Sequence, residues 1–503
     1  MYPENDHTYS ALDTVYAWFS LLIAFLFCRV IPVEENPLGA LLLILALFAT
    51  GFGILKLKKL KPDATCIISA VSSLVIGSAL LLTDTRFLLN LSLAYCLGSY
   101  LYFLYAALGN RIEQGFSNYI YIDFIKILIL PFSSLRTIFS VLFNRSAATF
   151  WQILRKVILG LCITVVPTAV IFLLLSYDHE FSMMLDNMFS FDIGNIGPVI
   201  GDFLWTIPLA MYGFGLYISS KRKVLQDTMT AERCQETLQK ARILPQLTAL
   251  VAVLPIVFLY GVFFVTQWQY YVSGFAGVLP GELGYAQYAR QGFFELCTVS
   301  VINLLIIIAI SFFIKQGKSG SSVILKIVAT IFCLCTLVLI STAVAKLVMY
   351  IDCYGLTQKR IYAMWLMALI GIVFLLIALG QYLRKIKVVA VCFCLAVVMF
   401  AGLSVCNVNA MCARYNADRY LSGDLDSLDI IAMRELGDSA VPSLVRIATS
   451  MDAEKDPQLK QEIDTFLRYK KAQFEEDASV FSFSIPSALA KSALEDYTPE
   501  TSE

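Results

Sequence analysis

Histidine is nearly missing from this 503-residue chain, which has only His7 and His179. That excludes most zinc sites and most mechanisms that use a histidine base. The 13 cysteines contain no C-x-x-C pair. Cys333/Cys335 and Cys392/Cys394 are C-x-C pairs inside apolar runs, and residues two apart on a helix do not face the same way. They read as small packed hydrophobes, and no metal or cofactor is expected. There is no phosphate-binding glycine loop or dinucleotide fingerprint, and His179-Glu180 is not followed by a second metal-binding histidine. Charge is scarce as well, at 15% of residues against about 25% in soluble domains. No Lys or Arg precedes the first apolar run, which instead follows Glu4, Asp6 and Asp13. A cleavable signal peptide would start basic, so this run reads as a retained membrane helix.

Apolar residues take the place of charge, at 58% hydrophobic and a mean hydropathy of +0.73. About 20 mostly apolar residues cross a bilayer. The chain therefore reads as an all-α integral membrane bundle of about eleven spans, near 14–32, 37–55, 64–82, 86–108, 155–176, 199–219, 243–266, 292–314, 323–348, 361–380 and 387–406. The stretch 116–150 is apolar but broken by Asp123, Lys126, Pro131, Arg136 and Arg145. It reads as amphipathic pieces in the interface, with a two-helix hairpin as the alternative.

The loops carry an orientation. One alternating set, including 56–61, 109–156, 221–242, 315–326 and 384–387, holds 22 Lys and Arg. The other set holds six: Arg29, Arg86, Arg290, Lys346, Lys359 and Arg360. By the positive-inside rule the N-terminus is cytoplasmic and everything after Cys406 is external. From Asn407 onward there are 10 basic and 18 acidic residues, so a hydrophobic body (1–406) carries an acidic tail. Within 407–474, three stripes at helical spacing predict a small helical domain. They are Leu425/Leu428/Ile431/Ala432/Leu436, Val441/Leu444/Val445/Ala448 and Leu459/Ile463/Phe466/Leu467. Asp438 and Ser439 are candidate caps ahead of Pro442. Residues 475–503, rich in Ser, Ala, Pro and acid, read as disordered.

On this topology three polar motifs converge on the outer face. The run ending in Tyr288, Arg290 and Glu295 enters the eighth span; Asp352, Tyr354 and Arg360 link the ninth and tenth; Arg414, Tyr415 and Asn416 open the tail. Asn303 lies eight residues beyond Glu295, on the same helix face. Lys346 is a candidate ion-pair partner for Glu295 or Asp352, because charges at membrane depth pair inside the bundle. The blander reading makes these residues belt aromatics, snorkelling cations and loop ties.

The same residues carry a family resemblance. Tyr285 through Leu296, then Tyr354-Gly355-Leu356-Thr357 with Arg360 and Tyr362, then Asn409 with Ala413-Arg414-Tyr415-Asn416, then Asp438 through Pro442 resemble a bacterial family of polytopic membrane proteins. It is domain of unknown function 4173, related to 4153, and the resemblance covers about residues 220–445. It implies a multi-pass protein of the bacterial cytoplasmic membrane and supplies no activity or site. The leading expectation is a non-enzymatic sensor, accessory or scaffold whose outer motifs and tail bind a protein partner. Its partners are otherwise the lipid bilayer, with no nucleic acid. A transporter or flippase, suggested by Pro167, Pro208, Pro245 and Pro255 within spans, is one alternative. The other is an outer-face enzyme using Glu295, Asp352, Arg290 and Arg360 on a lipid-linked substrate.

Overall fold

The computed structural model describes residues 9–113, 115, 117–143, 193–224, 230–266, 285–315, 323–383, 386–425, 427–451, 456–476, 479–495 and 497. These form an all-α protein. Nine helices among the described residues are long and apolar enough to cross a membrane: α1 (Ala11–Val30), α2 (Pro37–Leu57), α3 (Ala64–Leu82), α4 (Arg86–Ala107), α9 (Gln246–Thr266), α10 (Tyr285–Phe313), α11 (Val323–Tyr354), α12 (Gln358–Gly380) and α13 (Val388–Val405). The chain is a multi-pass membrane protein. Each of these nine coincides with an expected span. The sixth expected span falls within α7 (Ile193–Lys221), and the fifth, 155–176, lies outside the described residues.

Two compact units divide the chain. The first comprises Met1–Ala70, Leu97–Arg111 and Ile122–Asp227. Here α1 packs along α7 through Tyr16 and Tyr217, whose ring centroids are 4.4 Å apart. Asp13, at the start of α1, is buried and paired with Lys221 at 2.6 Å. Between α4 and α7 lie α5 (Ile120–Ile129), a 3-10 turn (Leu130–Ser133) and α6 (Thr137–Phe143). At ten residues, α5 is too short to span. The charges of α5 do not point to an interface as expected. Asp123 and Lys126 are both buried, and the Tyr105 hydroxyl donates to Asp123 at 3.0 Å. A short helix can hide its charges when neighbouring protein supplies the hydrogen bonds that lipid cannot.

The second unit comprises Val71–Cys96, Ile112–Tyr121 and Thr228–Glu503. It includes the short α8 (Ala231–Ala241) and spans α9 to α13. α9, α10 and α11 are tied by one buried amide: the Tyr260 hydroxyl donates to Asn303 Oδ1 at 2.7 Å, and Asn303 Nδ2 donates to Thr336 at 2.9 Å. Two residues after α13 the chain re-enters helix as α14 (Val408–Ser422), where the Asn407 side chain accepts the Ala410 amide. Then follow α15 (Ile430–Arg434), a 3-10 turn (Gly437–Ala440), α16 (Val441–Ser450), α17 (Pro457–Glu476) and α18 (Ile485–Glu495). Met433, Leu436, Val441, Leu444, Ile447, Ile463 and Leu467 form the buried core of this tail.

Two expectations for the tail are corrected. The stretch read as disordered contains α18, which buries Pro486, Ala490 and Leu494 on one face. Just beyond it, the buried Tyr497 donates to Asp464 at 2.6 Å. Small apolar residues four apart make a core-facing stripe even in a Ser- and Ala-rich sequence. Asp438 and Ser439 do not cap α16, whose first residue follows Ala440 without a side-chain cap. Asp438 instead pairs with Lys470 at 2.7 Å, and Ser439 reaches a distant carboxylate.

Candidate functional site

That carboxylate is Asp84, in the three-residue loop Thr83-Asp84-Thr85 between α3 and α4. Four chain segments meet there within the second unit. Ser439 gives Asp84 both its backbone amide, at 2.9 Å, and its hydroxyl, at 2.8 Å. Asn409, near the start of α14 and only 2% exposed, donates its amide to Asp84 at 2.8 Å and to the Leu436 carbonyl at 3.1 Å. Its Oδ1 accepts from Thr85 at 2.8 Å and from Gln358, at the start of α12, at 2.6 Å. Asn407 completes the group, donating to Ser439 at 2.9 Å. Every hydrogen-bonding position of the Asn409 amide is filled, as a buried polar group requires.

A second knot lies beside it. Gly355, between α11 and α12, has φ of +76°, which glycine adopts without steric cost. That turn presents Leu356 edge-on to Asn416 of α14. Asn416 Oδ1 accepts the Leu356 amide at 2.6 Å, and its Nδ2 donates back to the Leu356 carbonyl at 2.8 Å. A side chain thus closes a two-bond ring on Leu356, beside the backbone bond from the Gly355 amide to the Ile351 carbonyl at 2.8 Å. Arg360 braces the same turn by donating to the carbonyls of Tyr354 and Gly355, with its guanidinium 4.2 Å from the Tyr350 ring centroid.

Asp352 is exposed and lies 3.5 Å from Arg419, which also contacts Tyr415. Arg414 is exposed and pairs one helical turn on with Asp418, which also receives Arg446. The Tyr354 side chain is exposed. Glu295 is exposed on α10, within electrostatic reach of Lys346 on α11. Tyr288 and Arg290 fall in the first turns of α10, and their side chains lie outside the described residues. Asn303 is 1% exposed and paired on both sides of its amide. Such interhelical bonds in lipid contribute about 0.6 kcal/mol on average, which suits a packing role. Among the described residues no group of three His, Cys, Asp or Glu side chains is gathered as a metal would need.

Sequence reasoning missed Asp84 and Thr85, and saw Gln358 only as part of a loop. Asn409 entered only through the resemblance, and Ser439 through the resemblance and as a candidate cap. The one available signal for Asp84 was a lone acid between two threonines in a minimal loop.

Burial holds the Asp84 carboxyl above the ordinary carboxylate value. Hydrogen bonds from Ser439 oppose the rise and neighbouring Asp438 adds to it. A carboxyl whose value is raised in the docked state takes up protons more readily there than when released. The contribution of Asp84 to docking is therefore greatest in acid and weakens as pH rises through the raised value. Protease cleavage of the tail, followed from pH 4 to pH 8 at about one-unit steps, should increase with pH. Asp84→Asn should lose the part of that slope near the acid end; an unchanged slope in the variant rules out Asp84 as its source.

The family described as Domain of unknown function (DUF4153) matches residues 42–447. It is the relative of the family first resembled, and its match reaches back through α2 to α7. No curated protein and no solved structure matches the chain.

Proposed function

The chain belongs to the DUF4153 family, and we propose that it is a non-catalytic multi-pass membrane protein that holds its C-terminal helical domain rigidly on the outer face, where that domain binds a protein partner. The observation that carries this reading is that several residues of the sequence motifs already have protein partners. Asn409, Asn416, Arg360 and Asp352 each have a protein partner across the turns they join. Groups consumed in this way position backbone and are not free to receive a substrate. The 22-to-6 bias of basic residues supports an external tail and a cytoplasmic N-terminus, and the resemblance supports a bacterial cytoplasmic membrane. The paired Asn303 amide speaks against a hydrated pathway at that depth.

Ile431 is 69% exposed on the tail and offers a handle for the test. A photo-crosslinking amino acid there, in cells of the native host, should capture one discrete protein species. The capture should fade when Asn409→Leu releases the domain. Absence of any protein adduct at Ile431, and also at the exposed Tyr469, contradicts the reading.

A further inference from the structure

The last described helix of the tail and the turn before it are apolar on two sides. One face of α18 is spent on the domain core through Pro486, Ala490 and Leu494. On the other side, Val480, Phe481, Phe483, Ile485 and Leu489 are 74%, 52%, 47%, 40% and 58% exposed. Ile485 and Leu489 are one turn apart, so they share a stripe, and the 3-10 turn Val480–Ser482 leads into it. In water a contiguous patch of this kind is an association site or an aggregation liability.

Charge and position identify what covers it. From Ser479 to Leu494 there is no acidic residue, and Lys491 is the single charge. The rest of the tail is strongly acidic. A surface meant for water in this domain carries carboxylates, and this one does not. It also lies close to the ends of the spans. α18 packs against the 3-10 turn Gly437–Ala440, and Ser439 of that turn is bonded to Asp84 in the α3–α4 loop. The domain itself begins two residues after the span α13. Phe, Val, Ile and Leu set among Ser give the segment the apolar side that a helix in the headgroup boundary buries, while Lys491 lies over the Phe474 ring and the flanking acids Glu475, Glu476 and Glu495 bound the patch.

We propose that the 480–489 segment is a second, non-spanning membrane contact that inserts its apolar side chains into the bilayer leaflet on the tail side. The domain is thereby held at two points, by the Asp84 knot and by lipid. This contact is independent of the protein partner proposed above, since Ile431 tests that partner and 481 tests this surface.

The test places benzoylphenylalanine at position 481 of the full chain in phosphatidylethanolamine–phosphatidylglycerol vesicles. Illumination should give a phospholipid adduct on the peptide that contains 481, and the same probe at 489 should give it again. An adduct to a second copy of the chain, or to another part of the same chain, overturns the proposal, as does the absence of any adduct. To separate insertion from misfolding, Phe481→Ser should melt with an unchanged midpoint. In that background the yield of lipid adduct at 489 should fall several-fold; an undiminished yield also overturns the proposal.

Discussion

Replacing Asn409 with leucine should release the C-terminal domain while leaving the spans intact, at a cost of about 3–5 kcal/mol. Leucine is close in volume, so the substitution removes hydrogen bonds more than it removes packing. The amide currently serves Asp84, Thr85, Gln358 and the Leu436 carbonyl. Each group stranded in a buried place costs about 1–3 kcal/mol, against a net gain of about 1 kcal/mol for an ordinary bond. Water admitted to the knot recovers part of this, so the sum falls short of four full penalties. Thr85→Val removes one donor and leaves the amide with its other partners, so it should cost about 1 kcal/mol. Chemical denaturation of the purified protein, read on a tail-specific probe, measures both. A change within about 0.5 kcal/mol for Asn409→Leu, typical of surface positions, contradicts the knot.

Gly355→Ala should be nearly as damaging despite adding a single methyl. Its φ of +76° costs a non-glycine residue about 1–2 kcal/mol. The new Cβ would also stand 2.5 Å from Asn416 Oδ1, inside any real contact, with the backbone on both sides already committed. Asn416 must swing away and lose both bonds to Leu356, which raises the total to about 3 kcal/mol. A double-mutant cycle isolates the cause. In an Asn416→Gly background the alanine meets no amide, and its cost should fall to the backbone part, about 1–2 kcal/mol. Strict additivity of the two substitutions means that the turn and Asn416 do not touch.

The spans were legible because a bilayer asks for little more than length and apolarity, and runs such as 323–348 and 387–406 supply both. The tail helices were legible for a different reason: Val441, Leu444 and Ala448 repeat at the helical period and are buried. The knot escaped because it has no period. Asp84 stands alone in a loop of three residues, and its partners lie more than 300 positions away in sequence. Ser439 looked like a cap because local hydrogen bonding is the default for serine before a helix, and a distant carboxylate outbid the helix for it. Helix α18 escaped because its buried stripe is made of Pro, Ala and Leu in a composition that otherwise signals disorder. Asp123 and Lys126 were read as interfacial because sequence does not reveal that both are buried, with Tyr105 donating to Asp123. The outer motifs were found as residues, while their pairing belongs to the fold.

The central claim is that Asn409 and Ser439 fasten the tail to the α3–α4 loop through Asp84. Hydrogen–deuterium exchange on the intact protein in nanodiscs tests it most directly, comparing wild type with Asp84→Ala. The account predicts faster exchange in peptides covering 437–450 and 485–495, far from the substitution in sequence, with peptides from α9 and α10 unchanged. Equal exchange in the two tails would contradict it.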